Sequence, residues 1–251
     1  MAQGRKQLVD HTSLPRAQRH LAKEESQLKA EIEAFEAFLD RLTEIPSHSY
    51  QTDGGTLKDT FHSQSPSAHA PQEAVQTAYR ETILAVGHWE DAYGEETTLE
   101  SMADEFGVDV AVGLTGGSAT WSPFMWNQLR RTSEEVIETR QRTLDVLTVE
   151  RRQLRDLERS LGDIGAELAA IERGHYSFTD RSDRLRSIER QLEELAQKHQ
   201  SYLQQRQTSN DTLFSAFIYA ALETDYPGLA ALATAREVRD RIELRHWAGM
   251  V

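Results

Sequence analysis

The sequence predicts an all-α protein: a long antiparallel coiled-coil hairpin, three-stranded with the N-terminal helix, and a small helical bundle as its head. Three observations predict it. Leu147, Leu154, Leu157, Leu161, Ile164, Leu168 and Ile171 recur at steps of three, four or seven residues, and Leu185, Ile188, Leu192 and Leu195 repeat the pattern further on. That spacing puts each set on one stripe of a helix. No proline interrupts the chain from Pro123 to Arg173, and only 38% of the 251 residues are apolar while 27% are charged. Such a balance belongs to a helical chain with a long thin core and much wetted surface.

The elements follow in order. Leu21, Leu28, Ile32, Phe35, Leu39 and Leu42 share one helical stripe, so a helix is expected from about 16 to 45, stopped by Pro46. Residues 46–71 turn to Ser, His, Gly and Pro and read as a flexible linker. A second helix is expected over 72–93, closed by Gly94. Thr97 with Glu100 makes a capping box for TLESMADEF, which Gly107 ends. VDVAVGL is a short apolar helix or turn, TGGSAT a loop, and Ser122-Pro123 an N-cap and first helical position. The helix that starts there would be ~75 Å long if it ran to Arg173. Gly162 and Gly165 inside it are places for a bend or a close crossing, and Gly174 ends it. The return helix, 181–207, lies antiparallel because the turn is short. Glu150 and His199 fall on the seam, where polar groups weaken the core locally and set register. The C-terminal helices, within 208–251, are expected to pack on an acidic head formed by 72–130, leaving 131–207 as the hairpin.

Composition excludes whole classes of chemistry. With no cysteine there are no disulfides, thiolate metal sites or cysteine nucleophiles. The longest apolar run, FSAFIYAAL at 214–222, is far short of the ~20 residues a membrane span needs. A soluble, cytoplasmic protein is expected. The net charge is -13, and 23 Arg stand against 5 Lys. Abundant carboxylate with scarce lysine suits a surface adapted to strong salt, where self-repulsion is screened; Arg-rich codon usage is the plainer explanation. Between residues 72 and 112, ten acidic residues face one basic residue, Arg80, so that stretch alone carries -9.

The densest chemical group lies inside this stretch, in AYRETILAVGHWEDAYGE at 78–95. Helical spacing sends Trp89 and Tyr93 inward and leaves His88, Asp91 and Glu95 on another face. A histidine with two carboxylates can hold a divalent metal. The plainer readings are a solvated acidic face, or a His88 that hydrogen-bonds between head helices. Glu172 with His175 and Glu243 with His246 have the spacing of di-iron ligands, but 26 Glu and 9 His give about one such pair by chance, and Gly174 breaks the first. LESMADEFGVDVAVGL resembles a helix-turn-helix, yet the segment after the turn has no Arg or Lys for phosphate contact. GLTGGSATWSP lacks the Lys-Ser/Thr ending of a phosphate loop.

AYRETILAVGHWEDAYGE, the ESMADEFG helix, a Ser-Pro helix start, a long heptad hairpin and the late LETDYPGLAAL turn together resemble a group of uncharacterised haloarchaeal helical proteins. The resemblance covers nearly the whole chain outside 46–71. It implies a coiled-coil fold and a high-salt cytosol, and carries no activity. Pro is commoner in that group at the place of Gly87. The function expected is non-enzymatic: protein–protein interaction or scaffolding, through a protein partner or self-association. The hairpin seam is either wholly satisfied within the chain or leaves a stripe for a second chain, and the second is favoured. No cofactor, membrane or nucleic acid is expected. The alternative is a regulatory module that senses a cation or small ligand in the acidic head.

Overall fold

The computed structural model describes residues 8–47, 70–88, 97–115, 121–207 and 218–250. Most of the expected linker, 48–69, lies outside them, as do Trp89, Asp91, Tyr93, Gly94, Glu95 and the first part of the C-terminal segment, 208–217. Among the described residues all regular secondary structure is helical: α1 Leu14–Glu44, α2 Ala70–Thr82, α3 Thr98–Phe106, α4 Val108–Leu114, α5 Pro123–Glu172, α6 Phe178–Gln207 and α7 Pro227–Trp247. No helix among them is long and apolar enough to cross a membrane.

Local signals place the ends. Thr97 Oγ1 accepts from the Glu100 amide at 3.3 Å while the Glu100 carboxylate accepts from the Thr97 amide at 2.8 Å, which completes the capping box. Gly107 ends α3 at φ +89°, a backbone that a side chain would strain. Helix α2 is shorter than its sequence suggests and stops at Thr82. There the Tyr79 carbonyl accepts from both Ile83 (2.9 Å) and Leu84 (3.2 Å), and Thr82 Oγ1 donates back to the Ala78 carbonyl at 2.7 Å. The helix widens into a turn at this point, before Gly87 and His88.

The chain forms two compact units, one of Glu25–Val146 and one of Leu147–Val251 with Met1–Glu24. The division falls inside α1 and α5, because each long helix supplies apolar positions to two separate cores. In the Glu25–Val146 unit, Phe35, Phe38, Tyr79 and Phe106 pack edge-on or tilted, with ring centroids 5.7–6.4 Å apart. Each large side chain so buried contributes about 1.5–3 kcal/mol. Around them lie Leu42, Val75, Ile83, Met102, Leu114 and Leu129. The last carbonyls of α1 have no partner within the helix. The Leu42 carbonyl accepts from the Ile45 amide at 3.1 Å and from Trp126 Nε1 of α5 at 3.0 Å, and just outside the two helices Trp121 Nε1 donates to the Pro46 carbonyl at 2.6 Å.

In the other unit α5 and α6 run antiparallel: Arg184 pairs with Glu167, and Tyr202 with Glu150. Leu147, Leu154, Leu157, Leu161, Ile164, Leu168 and Ile171 on α5, with Leu185, Ile188 and Leu192 on α6, are all buried within the chain, and Leu195 is half-buried. Gly162 and Gly165 are buried in an unbroken helix. The first turns of α1 join this core through Leu14, Ala17 and Leu21, and Ser13 Oγ donates to the Pro227 carbonyl at 3.2 Å. The C-terminal helices were expected on the acidic head; the observed partner of α7 is α6. Small residues explain it. Gly228, Ala231 and Ala235 give α7 a flat buried face, and buried Arg239 reaches from α7 to Glu189 of α6 at 3.3 Å.

Candidate functional site

The residue with the most suggestive sequence context, His88, lies in a charge network. Its Nε2 is 2.8 Å from Glu31 Oε1. Arg140 Nε donates to the other oxygen of Glu31 at 2.7 Å, and its Nη2 to Glu105 Oε1 at 2.9 Å. Residues from α1, α3 and α5 and from the turn after α2 therefore meet around one guanidinium, whose flat face also lies 4.8 Å over the Phe35 ring. Burial works against the Arg140 charge; the Coulombic pull of Glu105 and the hydrogen bonds to Glu31 and Glu105 outweigh it and hold the guanidinium above its ordinary range. The side chains are only 11–17% exposed. His88 is largely buried and hydrogen-bonded, but to α1, the helix expected to join the coiled-coil hairpin, rather than between head helices. Of the metal candidates, Asp91 and Glu95 lie outside the described residues, and the positive charge beside the Glu31 and Glu105 carboxylates is supplied by Arg140. Among the described residues no group of three or more His, Asp or Glu is placed to hold a metal ion.

A second buried carboxylate organises the other unit. Glu150, 2% exposed, accepts from Tyr202 Oη at 2.5 Å and Tyr219 Oη at 2.7 Å, and pairs with Arg206. A carboxylate has room for about four donors, so three hydrogen bonds leave it well satisfied. Burial, reinforced by the Glu150 charge, pushes both tyrosine hydroxyls far above their ordinary range, so they stay protonated donors. His199 lies one helical turn from Tyr202, its ring centroid 5.9 Å from the phenol's. Burial lowers the His199 imidazole below its ordinary 6.5; Glu150 opposes this and Arg206 adds to it. The imidazole also rests on α7: a Cβ built at Gly228 would stand 2.3 Å from its Nε2. Glu150 and His199 were legible as polar seam residues. Tyr219 and Arg206 were not, because their partner lies 69 and 56 residues away and no local spacing marks them.

The third feature is apolar and outward. At the end of α7 and the start of α6, Phe178, Leu244, Trp247 and Met250 are 53–72% exposed. Buried His246 lies against Phe178 with centroids 4.2 Å apart and tilted to Trp247 at 5.2 Å, and its Nε2 meets Ser182 Oγ at 2.9 Å. In the Glu25–Val146 unit Val108, Val112 and Phe124 are exposed too, Val108 and Val112 one helical turn apart on α4. Single exposed apolar residues are ordinary, whereas grouped ones mark contact surfaces. Neither group is marked by sequence periodicity, which points instead to a contact stripe on the hairpin seam, and that seam is buried.

Comparison with known families finds one model, described as a domain of unknown function (DUF7260), that matches residues 12–243. No curated protein matches the chain, and no solved structure does.

Proposed function

The chain belongs to that DUF7260 family, and from this premise we propose that it acts without chemistry of its own, as a cytoplasmic helical protein that binds other proteins or scaffolds them. One observation carries the reading: large apolar side chains are left in water in groups, Phe178, Leu244, Trp247 and Met250 in one unit and Val108 and Val112 in the other. The side chains best suited to chemistry are engaged otherwise. Glu150 is held by three donors, and Glu31, Glu105 and His88 are gathered around Arg140. A charge of -13 with 23 Arg to 5 Lys supports a working environment of strong salt. In such a medium charge steering is screened, and apolar contact is what remains to hold a partner.

The test is affinity capture of the full chain from an extract of the source cells in molar KCl, with chemical cross-linking and mass spectrometry. Wild type, Val108→Ser with Val112→Ser, and Leu244→Ser with Trp247→Ser are compared. A protein set captured by wild type and lost in one double variant supports the reading. Equal capture by all three, or capture by none, contradicts it.

A further inference from the structure

We infer that Phe178, Leu244, Trp247 and Met250 form a self-docking surface, on which the same patch of a second copy of this chain sits. The inference rests on the interaction reading and names its partner. The patch is centred on the Phe178–Trp247 contact. Leu244 and Trp247 are one helical turn apart on α7, and the Met250 amide donates to the Arg245 carbonyl at 2.9 Å, which folds the tail back over the helix end. Phe178 and Trp247 meet edge to face, with centroids 5.7 Å apart. Both rest on the buried His246 ring, so they are held in place before any partner arrives. Aromatic anchors that are already ordered lose little entropy on docking.

Area and charge together favour a second copy over an unrelated partner. At 53%, 72%, 63% and 70% exposure, the four side chains offer on the order of 500 Å² of apolar surface. Two such patches face to face remove about 1,000 Å² from water, the lower bound for a specific interface. The acidic excess of the chain is concentrated in residues 72–112, which carry -9, and this end holds none of it. Residues 172–184 and 239–247 hold five acidic and six basic residues, a balance of +1 in a chain of -13. The rim carries both signs, as in the Arg245–Glu172 pair beside the patch. A patch with both signs on its rim can complement itself across a two-fold axis.

The test is the mass of the full chain by size-exclusion with light scattering, over a concentration series in molar KCl. Wild type is expected to approach twice the 28.5 kDa of one chain. Leu244→Glu sets a carboxylate on the patch and is expected to halve that mass. Trp247→Ser should do the same, and Val108→Ser should leave the mass unchanged. Leu244 is 72% exposed, so an unchanged melting temperature in Leu244→Glu separates lost docking from lost folding. A wild-type mass of 28.5 kDa at every concentration, or a dimer that survives both Leu244→Glu and Trp247→Ser, overturns the inference. If a monomeric wild type still captures another protein that Leu244→Glu releases, the second copy is the wrong partner while the interaction reading stands.

Discussion

Replacing Gly228 with alanine adds one methyl group where the structure has no room for it. The new Cβ would lie 2.3 Å from His199 Nε2, 2.6 Å from Cε1 and 3.0 Å from Cδ2. Carbon and nitrogen in contact want more than 3 Å, so either the ring or the start of α7 must move. The ring is confined: His199 is 6% exposed and stands next to Tyr202, whose hydroxyl is tied to Glu150. Overpacking of this kind costs about 1–3 kcal/mol. Against it stands the helix preference of Ala over Gly, up to about 1 kcal/mol in a helix interior and less in the first turn, where Gly228 sits. The net expectation is a loss of about 1–2 kcal/mol, or a fall in Tm of roughly 2–4 °C per kcal/mol for a chain of this size. Thermal unfolding followed by circular dichroism measures it, with Gly228→Ala made in wild type and in His199→Ala. In the second background the clash is gone, and the substitution should be neutral or slightly stabilising. A Gly228→Ala protein as stable as wild type, or equal effects in both backgrounds, would refute the packing argument and with it the steric reason for the glycine of DYPGLAAL.

Three further outcomes are expected. Glu150→Ala removes the acceptor of two buried tyrosine hydroxyls and the charge that Arg206 pairs with, and should cost about 3–5 kcal/mol in denaturant unfolding, whereas an effect under ~1 kcal/mol would show the network to be incidental. His199 has its folded pKa lowered from 6.5 by burial, so the unfolded chain binds a proton that the folded chain refuses; stability should fall as pH drops below about 6.5, and His199→Gln should flatten that slope. Divalent metal ions should leave the melting temperature unchanged, because Arg140 already occupies one oxygen each of Glu31 and Glu105 and His88 bonds the other oxygen of Glu31; a metal-dependent rise abolished by His88→Ala would reverse that assignment.

The helices were legible because their signals are local. Pro46, Gly107, Ser122-Pro123, Gly174 and the Thr97–Glu100 pair lie at or within a few residues of helix boundaries, and the leucine seam of α5 is buried as its spacing requires. Helix α2 ends early where the Tyr79 carbonyl is shared between the Ile83 and Leu84 amides, a local change that no residue spacing marks. The same limit hid the partners of the polar residues. His88 stands out in sequence, yet its meaning comes from Glu31 and Arg140, 57 residues before it and 52 after it. Periodic apolar residues point to the seam, which is buried; the exposed apolar side chains include Phe178 and Trp247, two aromatics on different helices that no period connects.

Whether binding resides in outward apolar side chains rather than in the chemically capable ones is tested most directly by capture with three versions of the full chain, side by side in molar KCl. Wild type and His88→Ala should retain the same cross-linked proteins, a second copy of the chain included, and Leu244→Glu should lose that copy while melting at the wild-type temperature. The opposite pattern, with contacts intact in Leu244→Glu and lost in His88→Ala, would place the binding site in the charge network around Arg140.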